Sequence, residues 1–326
     1  MSLSRRLFLT SGAAAMATSL QAQEAGFPSK PITIIVGSSS GGGVETEARI
    51  ISEAMVKQGR PPLIVELRPG AMGSAGATAT AVYRAKPDGY TLLFSPASPM
   101  VFNQLTHKNL TYDPAKMTPV ILVGDQPLVL VARGDLPADS LADLVAYARK
   151  NPGRTFYSSP GIGGGNHMSV LLLAKHTGMD VKHVPFPGAA PATQALLRGE
   201  VDFGIISATT LLPWYKEGQL KFFAMGAKER YREAPDVPTF RELGYPDEFV
   251  LTAWRVLVGP PDMPAPIVER LNRIINQAFE DPVARERYKT LGLEFRGGSA
   301  QEVADMLKRE AATWERVARE NKIEKE

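Results

Sequence analysis

The sequence predicts an α/β protein built on parallel sheets, and three observations lead there. Short apolar runs of strand length alternate with stretches of helical periodicity from Pro31 to the C-terminus. Three glycine-rich loops each follow a strand-like run and open a helix. A length of 326 residues admits two domains, each able to bury a core of its own.

The elements follow in order. Ile32–Val36 is an almost continuous apolar run, the pattern of a strand buried on both faces. Val44, Ala48, Ile51 and Met55 share one face of the helix that follows. Strand signals recur at Leu63–Leu67, Thr91–Ser95, Val120–Gly124 and Leu128–Arg133, with a helix over Ser74–Arg84. A helix over Ser140–Lys150 is stopped by Asn151-Pro152-Gly153. Strands are expected at Phe156–Ser159, Lys182–Phe186 and Phe203–Ser207, with helices over Asn166–His176 and Ala189–Arg198. Leu220–Gly226 and Leu251–Gly259 read as later strands, and Pro266–Phe279, Pro282–Leu291 and Ala300–Asn321 as closing helices.

Composition excludes several functions. Hydrophobic residues make up 44% and charged residues 22%, which is ordinary for a globular protein. The net charge is +3, with no basic run longer than two residues, so no nucleic-acid-binding face is expected. Cysteine is absent, which removes disulfides, thiolate metal sites and a cysteine nucleophile. The four histidines lack the spacing of a metal site, and no glycine loop ends in Gly-Lys-Ser/Thr, so neither metal nor cofactor is expected.

Residues 1–22 read as an export signal. Ser4-Arg5-Arg6-Leu7-Phe8-Leu9 is a twin-arginine pattern, an apolar stretch runs to Leu20, and Ala22 ends a small-residue cleavage site. That stretch is too short to span a bilayer, so the mature chain is expected in the periplasm without an anchor.

The glycine loops carry the chemistry. Gly37-Ser38-Ser39-Ser40-Gly41-Gly42-Gly43 offers backbone N–H and hydroxyl donors at a helix N-terminus, the means of binding an anion. The same residues fit a nucleophile elbow with Ser39 central, and a secreted serine hydrolase is the competing reading. It would need His107, His167, His176 or His183 as its base. Ser158-Ser159-Pro160-Gly161-Ile162-Gly163-Gly164-Gly165-Asn166-His167 repeats the anion-binding arrangement. There His167 either donates to a ligand or is satisfied within the fold. The third loop, Gly70–Gly76, reads as structural packing.

Ordered segments along the chain narrow the field. They include Pro28-Ser29-Lys30-Pro31-Ile32, Gly41-Gly42-Gly43 with Glu45 and Ala48-Arg49, and Arg68-Pro69-Gly70-Ala71 with Gly73. Lys86-Pro87-Asp88-Gly89-Tyr90-Thr91-Leu92-Leu93, Tyr112-Asp113-Pro114, and Val184-Pro185-Phe186 with Gly188 and Pro191 follow. Gly199-Glu200-Val201-Asp202, Pro235-Asp236-Val237-Pro238-Thr239 and Trp254 complete the set. From Phe27 to about Glu320 the chain thereby resembles the periplasmic solute receptors of tripartite tricarboxylate transporters, the Bug family.

That resemblance implies a two-lobed clamshell like the periplasmic binding proteins, each lobe a mostly parallel sheet flanked by helices. It implies a monomer that is not an enzyme, holds a small organic acid between its lobes and delivers it to membrane transporter subunits; a sensor protein as the recipient is the alternative. Residues 23–124 with 230–326 are expected to form one lobe and 125–229 the other. The expected ligand set is Ser38, Ser39, Ser40, Gly41, Gly42, Gly43, Glu45, Ser158, Ser159, Gly161, Gly163, His167, Gly188, Ala189, Ser207 and Arg255. Departures from the family bear on the ligand. Gly37-Ser38-Ser39-Ser40 replaces the usual Pro-Phe-x-Pro, Glu45 replaces Asp, and Ile206-Ser207 replaces a frequent Asp-Asn pair. Arg255 stands where relatives commonly have an aromatic or small residue. It either pairs with a nearby acid or grips a second carboxylate.

Overall fold

The computed structural model describes residues 26–37, 43–68, 75–323 and 325. The export signal, Ser38–Gly42 and Pro69–Ser74, most of the third glycine loop, lie outside the described residues.

The chain begins with β1 (Ile32–Val36), α1 (Gly43–Lys57), β2 (Leu63–Leu67), α2 (Ala75–Tyr83) and β3 (Thr91–Pro96). The three strands are parallel, with β1 in the middle and Ile34 opposite both Val65 and Leu92. Ala48, Ile51 and Met55 on the inner face of α1 pack with Ile34, Val36 and Phe94, as the helical periodicity requires. A wide turn over Ser98–Phe102 and the short α3 (Asn103–Thr106) lead to β4 (Thr118–Asp125).

A second sheet starts at β5 (Leu128–Arg133), followed by α4 (Leu141–Lys150), β6 (Thr155–Ser159), α5 (Gly165–Thr177) and β7 (Val181–Pro185). Then come α6 (Ala189–Leu197), β8 (Phe203–Ser207), α7 (Ala208–Lys216) and β9 (Leu220–Met225). The boundaries of α4 show the sequence at work. The Ser140 hydroxyl accepts from the Asp143 N–H at 3.1 Å, and the chain leaves the helix at Asn151. The order in this sheet is β7-β6-β8-β5-β9, with β7, β6 and β8 parallel to one another.

The chain then returns to the first sheet as β10 (Arg255–Gly259) and closes with α8 (Ala265–Ala278), α9 (Pro282–Thr290), β11 (Glu294–Gly297) and α10 (Ala300–Glu320). Ser299 and Glu302 cap the start of α10 reciprocally. The first sheet has the order β11-β4-β10-β3-β1-β2.

Both sheets are mixed and mostly parallel in sense, as expected: β1–β4 run one way in the first sheet and β6–β9 in the second, with β10, β11 and β5 against them. β10 runs antiparallel to β3 and to β4, and β5 runs antiparallel to β8 and to β9. The reason is the crossing between sheets. β4 leaves the first sheet at the edge where β1, β2 and β3 end. Gln126 and Pro127 carry the chain into the N-terminal end of β5, which lies at the edge where β6, β7 and β8 end. A strand that enters from that edge must oppose the parallel strands beside it. The return through Leu251–Trp254 into β10 repeats the geometry in the other direction. The two crossings pair with each other: Ala253 N–H donates to Gln126 O at 2.9 Å and Leu128 N–H to Leu251 O at 3.0 Å.

Leu251–Gly259 is therefore two things, a crossing segment and then a strand. Residues ahead of that crossing stay with the second sheet: Met225 N–H donates to Pro238 O, and Tyr245 and Phe249 pack on His176 of α5. The expected lobe boundary at residues 229 and 230 falls inside this segment, before the backbone crosses. On the far side α10 packs against β4 and α5 together, with Trp314 edge-on to Phe102 at 5.4 Å.

Candidate functional site

The topology brings the carboxyl ends of two parallel strand triads face to face across the paired crossings. Ligands of open α/β sheets bind in that position, outside the carboxyl ends of the strands. In the second sheet each parallel strand is followed by a helix that starts at this edge: α5 after β6, α6 after β7 and α7 after β8. Three helix N-termini therefore direct positive dipole ends into the crevice.

The loop from Ser159 to His167 is built around two imidazoles. Gly163 N–H donates to His167 Nδ1 at 2.9 Å, which leaves the ring proton on Nε2. The His167 ring stacks on His183 with centroids 4.1 Å apart, and Tyr157 stacks on His183 at 4.8 Å. Ser159 Oγ lies 2.7 Å from His183 Nε2 and 2.7 Å from Gly161 O. Phe186 N–H donates to Ser159 O, tying the β7–α6 turn, with Gly188 and Ala189, to this loop. Asn166 Nδ2 donates to Ile205 O at 2.7 Å and holds the start of α5 against β8. At the end of β8, the Ser207 hydroxyl donates to Gln126 Oε1 at 3.0 Å, joining the third helix start to the crossing.

Burial pushes both imidazoles down to about 4, and in His167 the neighbouring His183 adds to the effect. At neutral pH the stack is uncharged, so this half of the crevice offers neutral donors. Between about pH 6.5 and 4 the unfolded chain binds more protons at these positions than the folded one, so their contribution to stability is lost as the pH is lowered. Buried carboxylates raised by desolvation, Glu47 and Glu310 among them, act in the opposite sense. A comparison with His183→Phe, which keeps a ring in the stack, isolates the effect. The wild type is expected to lose about 1–2 kcal/mol more than the variant between pH 7 and 4.5, the exposed part of the ring being screened. Urea unfolding at the two pH values checks this; equal losses would show that His183 takes up its proton as readily in the folded chain as in the unfolded one.

The first sheet contributes a different surface. Glu45, in the first turn of α1, accepts from Arg49 Nε at 2.9 Å, an i,i+4 pair. At the carboxyl ends of β1 and β3 lies a cavity of about 60 Å³, lined by Val36, Gly37, Val44, Thr78, Phe94 and Pro99 among others. On the α1 and α9 side, Arg255 turns inward toward Glu47, with Nε 3.7 Å from Oε2, and its Nη1 donates to Trp254 O. Neither Arg255 Nε, Glu47 Oε2 nor the Tyr288 hydroxyl has a hydrogen-bond partner. Burial raises the Glu47 carboxyl, and Arg255 works against that rise.

The structure thus brings Ser159, Gly161, Gly163 and His167 together, with Gly188, Ala189 and Ser207 at neighbouring helix starts. Strand alternation turns Ser158 to the other face of its sheet, where its hydroxyl is buried beside Gly204 without a partner. Arg255 meets an acid of its own chain. Sequence reasoning missed Glu47, Tyr157 and Gln126, and treated His183 only as a candidate base. Glu47 had a readable signal, since it falls on the same arc of α1 as Val44, Ala48 and Ile51. Among the described residues, no group of three or more His, Asp and Glu side chains is placed to hold a metal ion.

Two sheet-and-helix lobes joined by paired crossings, with helix starts converging on the crevice between them, define a two-lobed solute-binding receptor. Within that class the chain belongs to the tripartite tricarboxylate transporter family of receptors, whose model, TctC, matches residues 47–323. It is 32% identical over 296 residues to the protein BugT of Bordetella pertussis, covering 90% of each chain. The solved structure of MatC from Rhodopseudomonas palustris, with bound malate, is 33% identical and superposes with a TM-score of 0.74 over 90% of this chain and all of that one. A second Rhodopseudomonas palustris protein, solved with adipate, is 29% identical with a TM-score of 0.76 over 90% of this chain and 97% of that one. The family expected from the sequence motifs is the family found.

Proposed function

We propose that this protein is exported to the periplasm by the twin-arginine signal at Arg5-Arg6 and, as a monomer without catalytic activity, captures a small organic acid between its lobes. It then presents the acid to membrane transporter subunits. The observation that carries the reading is the convergence of neutral donors and helix N-termini from the loop Ser159–His167 on a crevice facing the start of α1. A carboxylate is the ligand such an arrangement suits, and two relatives were solved with malate and adipate. Ser159, Gly161, Gly163 and His167 are the proposed anchors, with Gly188, Ala189 and Ser207 beside them. Glu45 and Arg255, each paired within the chain, are proposed to border the crevice on the first lobe without gripping the acid. His183 receives a hydrogen bond from Ser159 or donates one to it and touches no carboxylate among the described residues, which supports binding over nucleophilic chemistry. The lobes are proposed to meet at the crossings, residues 125–128 and 251–254. No helix among the described residues is long and apolar enough to cross a membrane.

The test is a thermal-shift screen of C2–C6 mono-, di- and tricarboxylates followed by calorimetry. At a hundredfold excess over its Kd a bound acid is expected to stabilise the protein by about 2.7 kcal/mol. Failure of every acid to give a saturable shift would sink the reading.

A further inference from the structure

We infer that the ligand carries a short, unbranched hydrocarbon segment that seats in the cavity between the ends of β1 and β3; the inference rests on the proposed capture of an organic acid. The cavity lies at the crevice edge of the first sheet, because Gly37 directly follows β1 and Val44 sits in the first turn of α1. Its walls are mainly carbon, from Val36, Val44, Phe94 and Pro99, and the Ser95 hydroxyl is turned away onto Pro96 O at 2.8 Å. A carboxylate or a hydroxylated chain pushed into such a space loses its hydration without replacement, whereas methylene groups gain by leaving water.

Size limits the occupant further. About 60 Å³ is well under half of the ~150 Å³ of a dry cavity that accepts benzene, so two or three chain carbons fit and a ring does not. Charge points the same way. Arg49, Arg68 and Arg255, described arginines near this edge, each pair with an acid of the chain, Glu45, Glu66 and Glu47. The distal end of the ligand is therefore met by carbon.

Calorimetry with straight-chain acids from acetate to hexanoate, and with malonate, succinate and glutarate, tests this. Affinity is expected to rise about fourfold per methylene through the first two or three added carbons and then to level off. Pentanoate is expected to bind at least tenfold more tightly than glutarate. Val44→Phe, which fills the cavity, should flatten the series, and Val44→Ala, which enlarges it, should move the plateau to a longer chain; unliganded melting curves establish that each variant is folded. Binding that is independent of chain length in the wild type, or equal for pentanoate and glutarate, would overturn the inference while leaving carboxylate capture intact. No binding by any mono- or dicarboxylate would overturn both.

Discussion

Replacing Arg255 with methionine is expected to destabilise the protein by about 3 kcal/mol at pH 7, the cost of leaving a buried carboxylate without its cation. Glu47 is 4% exposed, its Oε2 has no hydrogen bond, and Arg255 is the cation beside it. Removal of the guanidinium lets burial raise the carboxyl further, so the loss should shrink as the pH is lowered and Glu47 takes up a proton. The double variant Glu47→Leu, Arg255→Met should regain most of the stability, because it deletes both charges and leaves apolar groups of similar volume. Denaturant unfolding of the two variants at pH 7 and pH 5 decides the matter. A loss below 1 kcal/mol, or a double variant no better than the single one, would mean that the pair carries little.

The second large effect is on binding. Gly163→Ala is expected to weaken the best-bound organic acid at least tenfold. Gly163 has φ +70°, where a side chain costs about 1–2 kcal/mol, and a Cβ there would overlap the Thr106 side chain. Any shift that relieves the overlap also moves the N–H that holds His167 Nδ1. Since Thr106 Cγ2 is the nearest atom, Thr106→Ser in the same chain should recover part of the affinity. Gly164→Ala is the control: a Cβ there meets only Gly161 O at 4.0 Å, and near-normal binding is expected. Isothermal titration of the three variants separates the cases, and normal affinity in folded Gly163→Ala would remove the loop from the site.

Strand and helix identity was legible where burial imposes a clear period. Ile32–Val36 and the Val44, Ala48, Ile51, Met55 face fell where expected because both report directly on core contact. The reversed direction of β5 and β10 was not legible. A run such as Val256-Leu257-Val258 is apolar on both faces whether its neighbours run with it or against it. The same limit merged Leu251–Trp254 with β10, since an apolar crossing and an apolar strand read alike. α7 went unseen because Pro213 interrupts its pattern, and β11 because it has only four residues. In the candidate site, the loop Ser158–His167 stands out by its glycine content. The imidazole stack does not, because His183 reaches His167 through strand pairing: Tyr157 lies opposite His183 in the β6–β7 register. That is information about neighbours, which a single chain of letters does not contain.

The paired crossings have a mechanical consequence. Two short antiparallel segments that hydrogen-bond to each other form a narrow ribbon, which flexes across its thin direction and resists shear along its length. Such a ribbon favours a swing about one axis, as with a strap hinge, over sideways sliding of one lobe past the other. The long α10, seated on β4 and α5 at once, lies alongside that strap and limits its travel. In the proposed capture the two halves of the crevice would thereby return to one alignment at each closure, and the distance between the proposed anchors and the proposed tail cavity would serve as a fixed ruler for the acid.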